Sequence, residues 1–228
     1  MKKILLSLVA VCGLLSCNKD QGPDVWKSEA YDYAGRFLFE MVYEGDQTKN
    51  PPVKFGSHEL RIFNSAENKA NEIWLEDHNL KIALKSLFVI SGKSTSFKSA
   101  TEGFDAQTDN LYAIGAPKKE EGIDAPTVEG QTVSVPRKKI RAEILDAKIE
   151  PKAYKTRGGN MADKLHIKVR LYHGKAHFAS VQKPKEEWEK PNVPEYKWLF
   201  KRAESTGEFV DATISGHRFT GFAEDEYH

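Results

Sequence analysis

Cysteine is almost missing from this chain of 228 residues: Cys12 and Cys17 are the only two, and both fall near the start. Everything after Cys17 therefore lacks a disulfide, a thiol nucleophile and a cysteine metal ligand. An apolar core alone must hold it together, which about 200 residues can do as one domain. Long apolar runs are scarce as well. The one present, residues 4–15, is too short to span a bilayer. Charge of one sign is not in excess either, with 34 basic against 33 acidic residues. The two signs are interspersed, and without a basic stripe to follow a phosphate backbone nucleic acid is not an expected partner. A Gly-x-Ser-x-Gly elbow does not occur, which excludes the usual α/β-hydrolase nucleophile. No run of a dozen residues keeps a helical period of 3.6.

What is present begins with MKKILLSLVAVCGLLSC. Lys2 and Lys3 precede the apolar run, and Leu14-Leu15-Ser16-Cys17 matches the lipobox of bacterial lipoproteins. The match implies cleavage before Cys17, lipid on that residue, and a domain anchored in the cell envelope, at the outer membrane. Residues 1–16 then read as the signal peptide, 17–24 as an acylated, turn-prone tether, and 25–228 as a single domain. Losing Lys2 and Lys3 leaves 32 basic and 33 acidic residues, a balance of −1.

The body of the chain alternates with period two. Residues 37–44 place Phe37, Phe39, Met41 and Tyr43 on one face. Residues 80–90 do the same with Leu80, Ile82, Leu84, Phe88 and Ile90, and residues 164–172 with Ile167, Val169 and Leu171. Shorter strands are expected at 59–63, 72–75, 95–98, 131–135, 140–149, 196–201 and 209–222, with turns such as Arg157-Gly158-Gly159-Asn160 and His173-Gly174-Lys175 between them. The expected class is all-β and antiparallel, a barrel or a sandwich. Two segments rich in Pro, Gly and charge, 105–139 and 182–195, break the rhythm and read as mobile insertions or binding loops, although Trp188 in the second suggests packing.

Several blocks resemble a family of Bacteroidetes lipoproteins named for lipid binding and hydrolase activity. Ile62-Phe63-Asn64-Ser65 through Asn71-Glu72-Ile73-Trp74-Leu75-Glu76-Asp77 is similar to its "YN…N…D.IWIDD" block. Ala162-Asp163-Lys164-Leu165 resembles its "aDSI" element, and Ile214-Ser215-Gly216-His217-Arg218-Phe219-Thr220-Gly221-Phe222 its closing "isGyRrTGF". The resemblance implies a lipocalin-like barrel of about eight strands. It also implies a joint role for Trp26 and Arg218, a first-strand Trp covered by a last-strand cation that plugs one end, worth about 2 kcal/mol when desolvated.

Chemistry is sparse. Gly92-Lys93-Ser94-Thr95 imitates a P-loop ending, but Leu87 stands where the leading glycine belongs, so a hairpin is expected. His173 and His177 could meet across a hairpin, yet a zinc site needs a third protein ligand and none is at hand, so no metal and no cofactor is expected. Glu76 and Asp77 face opposite ways on a strand, and Asp77 reads as part of the turn Asp77-His78-Asn79. No catalytic residue is assigned. The inward face of Phe39, Met41, Ile82, Leu84, Phe88, Ile167, Val169 and Leu171 either lines a pocket for a small apolar ligand, such as a fatty acid, or fills the barrel. Three functions follow in order: a lipid-anchored binder of an apolar ligand, a filled barrel that meets an envelope partner through its loops, and a weak hydrolase.

Overall fold

The computed structural model describes residues 27–56 and 58–225. Cys17 and Trp26, with the leader and tether, lie outside them. The described residues contain eight strands and no α-helix: β1 (Gly35–Tyr43), β2 (Glu59–Asn64), β3 (Glu72–Asp77), β4 (Lys85–Lys93), β5 (Ser96–Ser99), β6 (Thr132–Lys155), β7 (Met161–Gln182) and β8 (Tyr196–Arg218). Each pairs antiparallel with its neighbour in sequence, and β1 pairs with β8, so the sheet closes into an up-and-down barrel. The all-β barrel expected from the alternating pattern is the fold found.

Alternation explains the wall. In β3, Ile73, Leu75 and Asp77 are buried while Glu72, Trp74 and Glu76 are half-buried on the outer side, and Trp74 stacks on Phe63 of β2. In β7, Leu165, Ile167, Val169 and Leu171 point inward, between Lys164, His166, Lys168 and Arg170. The inward sets of all eight strands form one core. The expected strand 80–90 starts only at Lys85. Leu80 and Ala83 have φ of 57° and 49°, and Leu80 is exposed rather than sharing the inner face. Asp77 causes this. Its buried carboxylate accepts hydrogen bonds from the backbone N–H of Asn79, Ile82 and Ala83, winding 78–83 into a compact turn.

The strand lengths divide the molecule. β1–β5 have four to nine residues, whereas β6, β7 and β8 have 24, 22 and 23. One half of each long strand belongs to the barrel, and the other half runs on as a three-stranded extension. The junction is marked by register shifts between Arg137 and Arg141 of β6 and between Tyr172 and Gly174 of β7. Thus 131–135 and 140–149 are one strand rather than two, as are 196–201 and 209–218. His173-Gly174-Lys175 lies inside β7 and is not a turn. Gly174 is there because a Cβ would stand 2.5 Å from the Glu204 carbonyl oxygen of β8. Pro136 is tolerated because β6 is the outer strand of the extension.

The extension has its own small core. Val135, Ile140, Tyr172, Ala176, Phe178 and Ala203 are covered by Phe104, Ala113, Ile114 and Ile123 from the segment before β6. Segment 105–139 is therefore not all loop: its last eight residues are strand, and Ala113, Ile114 and Ile123 pack on the extension core. Asn110, fully buried, fixes it. Its side-chain amide donates to the carbonyls of Ala83 (2.9 Å) and Lys139 (2.8 Å) and accepts from the Lys85 N–H (2.9 Å). The 183–195 connection joins β7 to β8, with the Trp188 indole donating to the Lys183 carbonyl at 3.0 Å.

At the end of the barrel where β1 begins, the Arg218 guanidinium lies 4.9 Å from the Phe37 ring centre, pairs with Asp163 at 2.9 Å and donates to the Ala34 carbonyl. Replacing Arg218 with Ala should lower the unfolding free energy by about 2 kcal/mol. A urea midpoint unchanged from wild type would refute the plug.

Candidate functional site

The eight inward residues named from the sequence all reach the barrel interior. Phe39, Met41, Leu84, Ile167 and Leu171 are 0% exposed, and Ile82, Phe88 and Val169 are 1%. A side chain lining a void wide enough for water would retain measurable surface, and these retain almost none. They pack on one another and on Phe37, Leu60, Ile73 and Ile214.

Room for a ligand lies at the barrel's other mouth, where the barrel meets the extension. A cleft of about 480 Å³ is bounded by Ala83, Tyr112, Ala113 and Ala116 on one side and by Arg137, Lys138 and Lys139 on the other. Its size falls within the usual range for small-molecule sites. Lys118, Glu120 and Glu121 complete the rim, giving four cations against two carboxylates. Arg137 is committed to structure, since its guanidinium donates to Glu121 and to the Gly115 carbonyl at 3.2 Å. Those hydrogen bonds, first among the causes, hold the Glu121 carboxyl below its usual range. A roomier cleft of about 680 Å³ flanks the Arg218 end, but there Arg218 pairs with Asp163 and Asp32 adds a second carboxylate, which disfavours an anionic head.

Lys139 forms the floor of the mouth. It has a φ of 55° at the register shift, which turns its side chain back over the barrel end. Its ammonium donates to the Tyr43 hydroxyl at 2.6 Å and stands 4.9 Å from the centre of that ring. Burial pushes the ammonium below the usual lysine range; the Asp77 charge opposes this and Lys138 adds to it. Burial, with Asp77 contributing, pushes the Tyr43 hydroxyl up to about 12. Tyr112 at the rim is likewise pushed up to about 12, by burial and by donating to Glu76 at 2.7 Å.

The remaining sequence candidates separate. Glu76 faces outward to Lys85 at 3.0 Å and Asp77 inward. Gly92 and Lys93 end β4, and Ser94-Thr95 is the two-residue turn into β5, as expected for a hairpin. His173 accepts from the Lys139 N–H at 3.2 Å, while His177, further along the same strand, contacts Ser134 and Glu204. Among the described residues no group of three or more His, Asp or Glu could hold a metal ion. Sequence reasoning missed Lys139 and Asn110. The register shift that aims Lys139 has no local signature beyond the Arg137-Lys138-Lys139 run.

A family model for lipid-binding putative hydrolases matches residues 22–223. The chain belongs to that family. The match spans the barrel, the extension and the 105–139 and 182–195 segments, which the resemblance in the strand blocks alone did not reach. No curated protein matches this member of the lipid-binding family.

Lys139 makes the stability of the fold depend on pH. Its folded-state pKa lies below the unfolded one, so between the two the unfolded chain binds more protons and stability rises with pH. Wild type should therefore gain on Lys139→Met as the pH increases through that window toward the ordinary lysine value. Paired urea titrations at stepped pH check this, and parallel curves would overturn it.

Proposed function

We propose that this member of the family is a membrane-tethered lipid binder that holds one anionic amphiphile at the mouth of a filled barrel, not within it. The packed interior carries the reading. Phe39, Met41, Leu84 and their neighbours would have to be displaced to admit a chain, at several kcal/mol for each disturbed core side chain. The mouth needs no such displacement. Its apolar wall of Ala83, Ala113 and Ala116 suits the start of an acyl chain, where each buried methylene is worth about 0.8 kcal/mol. Lys138 and Lys118, both exposed at the rim, suit a carboxylate or phosphate head. The lipobox ending at Cys17 supports attachment to an envelope membrane through that residue.

Dodecanoate is a suitable probe. Native mass spectrometry of the purified protein should show a one-to-one adduct. Ala116→Trp, which fills the mouth, and Lys138→Glu, which reverses its charge, should each weaken binding about tenfold or more. An adduct that survives Ala116→Trp would place the ligand elsewhere and overturn this reading. The anchor has a separate check: Cys17→Ser should move the protein from the membrane fraction to the soluble one. Retention of that variant in the membrane would refute lipidation at Cys17.

A further inference from the structure

The outward face of the extension holds an arrangement that the lipid-binding reading does not use. Ser134 of β6 lies directly opposite His177 of β7, and on the far side of β7 the pairs Lys175–Glu204 and His177–Arg202 bring Glu204 alongside. Ser134 Oγ is 2.7 Å from His177 Nδ1, and His177 Nε2 is 3.0 Å from Glu204 Oε2. Arg202 donates to the same carboxylate oxygen at 3.1 Å. That hydrogen bond, then the Arg202 charge, then the bond from His177 hold the Glu204 carboxyl below its usual range, so it is ionised at neutral pH.

An ionised carboxylate only accepts, which places the ring proton on Nε2. The Nδ1 lone pair then faces Ser134, whose hydroxyl donates to it. This is the order of nucleophile, base and orienting acid found in acyl-transfer enzymes, with the two ring nitrogens exchanged. Ser134 is exposed, and the His177 side chain is 22% exposed, so a substrate in solution can reach both. The opposite faces of the same strands carry Val135, Ala176, Phe178 and Ala203, packed under their cover, so the three groups stand on a rigid platform.

We infer that Ser134, His177 and Glu204 form an esterolytic site for small carboxylic esters. Ser134 Oγ attacks the acyl carbon while its proton passes to His177 Nδ1. The tetrahedral adduct then collapses, the bond to the alkoxy group breaks, and Nδ1 returns the proton to the departing alcohol. Water attacks the acyl-Ser134 ester with the same base, which releases the carboxylic acid and restores the serine. Arg202 is engaged with Glu204, so the cation this face offers to the developing oxyanion is Lys175, two residues from His177 on β7. An open sheet face offers no acyl pocket, so short acyl groups with good leaving groups are the substrates and turnover is slow.

A fluorophosphonate probe and p-nitrophenyl acetate test this on the intact chain. The probe should attach to Ser134, located by peptide mass spectrometry, and ester hydrolysis should fall to the buffer rate in Ser134→Ala. His177→Gln should abolish labelling, and Glu204→Gln should slow it about tenfold or more. Thermal melts of all three variants should match wild type, since the residues sit outside both cores. Absence of label on Ser134, or undiminished labelling in His177→Gln, would overturn the inference. Dodecanoate binding at the mouth should persist in Ser134→Ala, which separates the two sites.

Discussion

Closure of the ring between β1 and β8 is the constraint on which everything else in this protein depends. Seven residues of β1, Phe37 to Tyr43, pair in continuous register with β8 from Arg218 back to Ala212. The seam is tight enough that a Cβ on Gly216 would come within 2.1 Å of the Leu38 carbonyl oxygen. Eight strands closed in this way fix an interior just wide enough for side chains. The chain fills it with Phe37, Phe39, Met41, Phe88, Phe97 and a set of Leu, Ile and Val. Near each open end a cation lies over an aromatic ring, Arg218 over Phe37 and Lys139 over Tyr43. With the core occupied, room for chemistry is left on the outside of the barrel.

The three long strands provide that outside. A sheet that continued past the barrel without a second core would expose apolar edges and faces. The segment before β6 prevents this by laying Phe104, Ile114 and Ile123 on one face of the extension. Buried polar groups hold it in place: Asn110 bridges the β4 entry and the β6 register shift, and Glu143 accepts from the Gly103 N–H at 3.0 Å and from the Tyr172 hydroxyl. The cover thereby forms one wall of the cleft at the barrel mouth, while the other face of the extension stays open to solvent.

Much of the barrel was legible because a half-buried strand repeats every two residues. β1, β3 and the barrel half of β7 could be read directly, as could the structural role of Asp77. The extension was not. Pro136 and His173-Gly174-Lys175 look like strand breakers, and only the neighbouring backbone shows that one sits on an outer strand and the other makes room for Glu204. Splitting β6 in two hid the register that sets Ser134 against His177, so no pairing of those residues could be foreseen. Ile82 and Leu84 were correctly placed inward, but the turn wound around the Asp77 carboxylate removed Leu80 from their face. The same apolar alternation describes a hollow wall and a filled one, and only packing distinguishes them.

The long strands also give the protein a direction. The described chain enters at Lys27, beside the end where β1 starts and β8 finishes, and the hairpin of Arg157 to Asn160 is at that end too. The extension leaves from the opposite end and continues from Gly174 to Gln182, about 27 Å at the usual strand rise. The barrel thus stands between the point where the described chain enters and both working surfaces. The cleft and the Ser134 face therefore share one pole of the molecule, a barrel's length from the pole at which Lys27, the Arg157–Asn160 hairpin and the end of β8 gather.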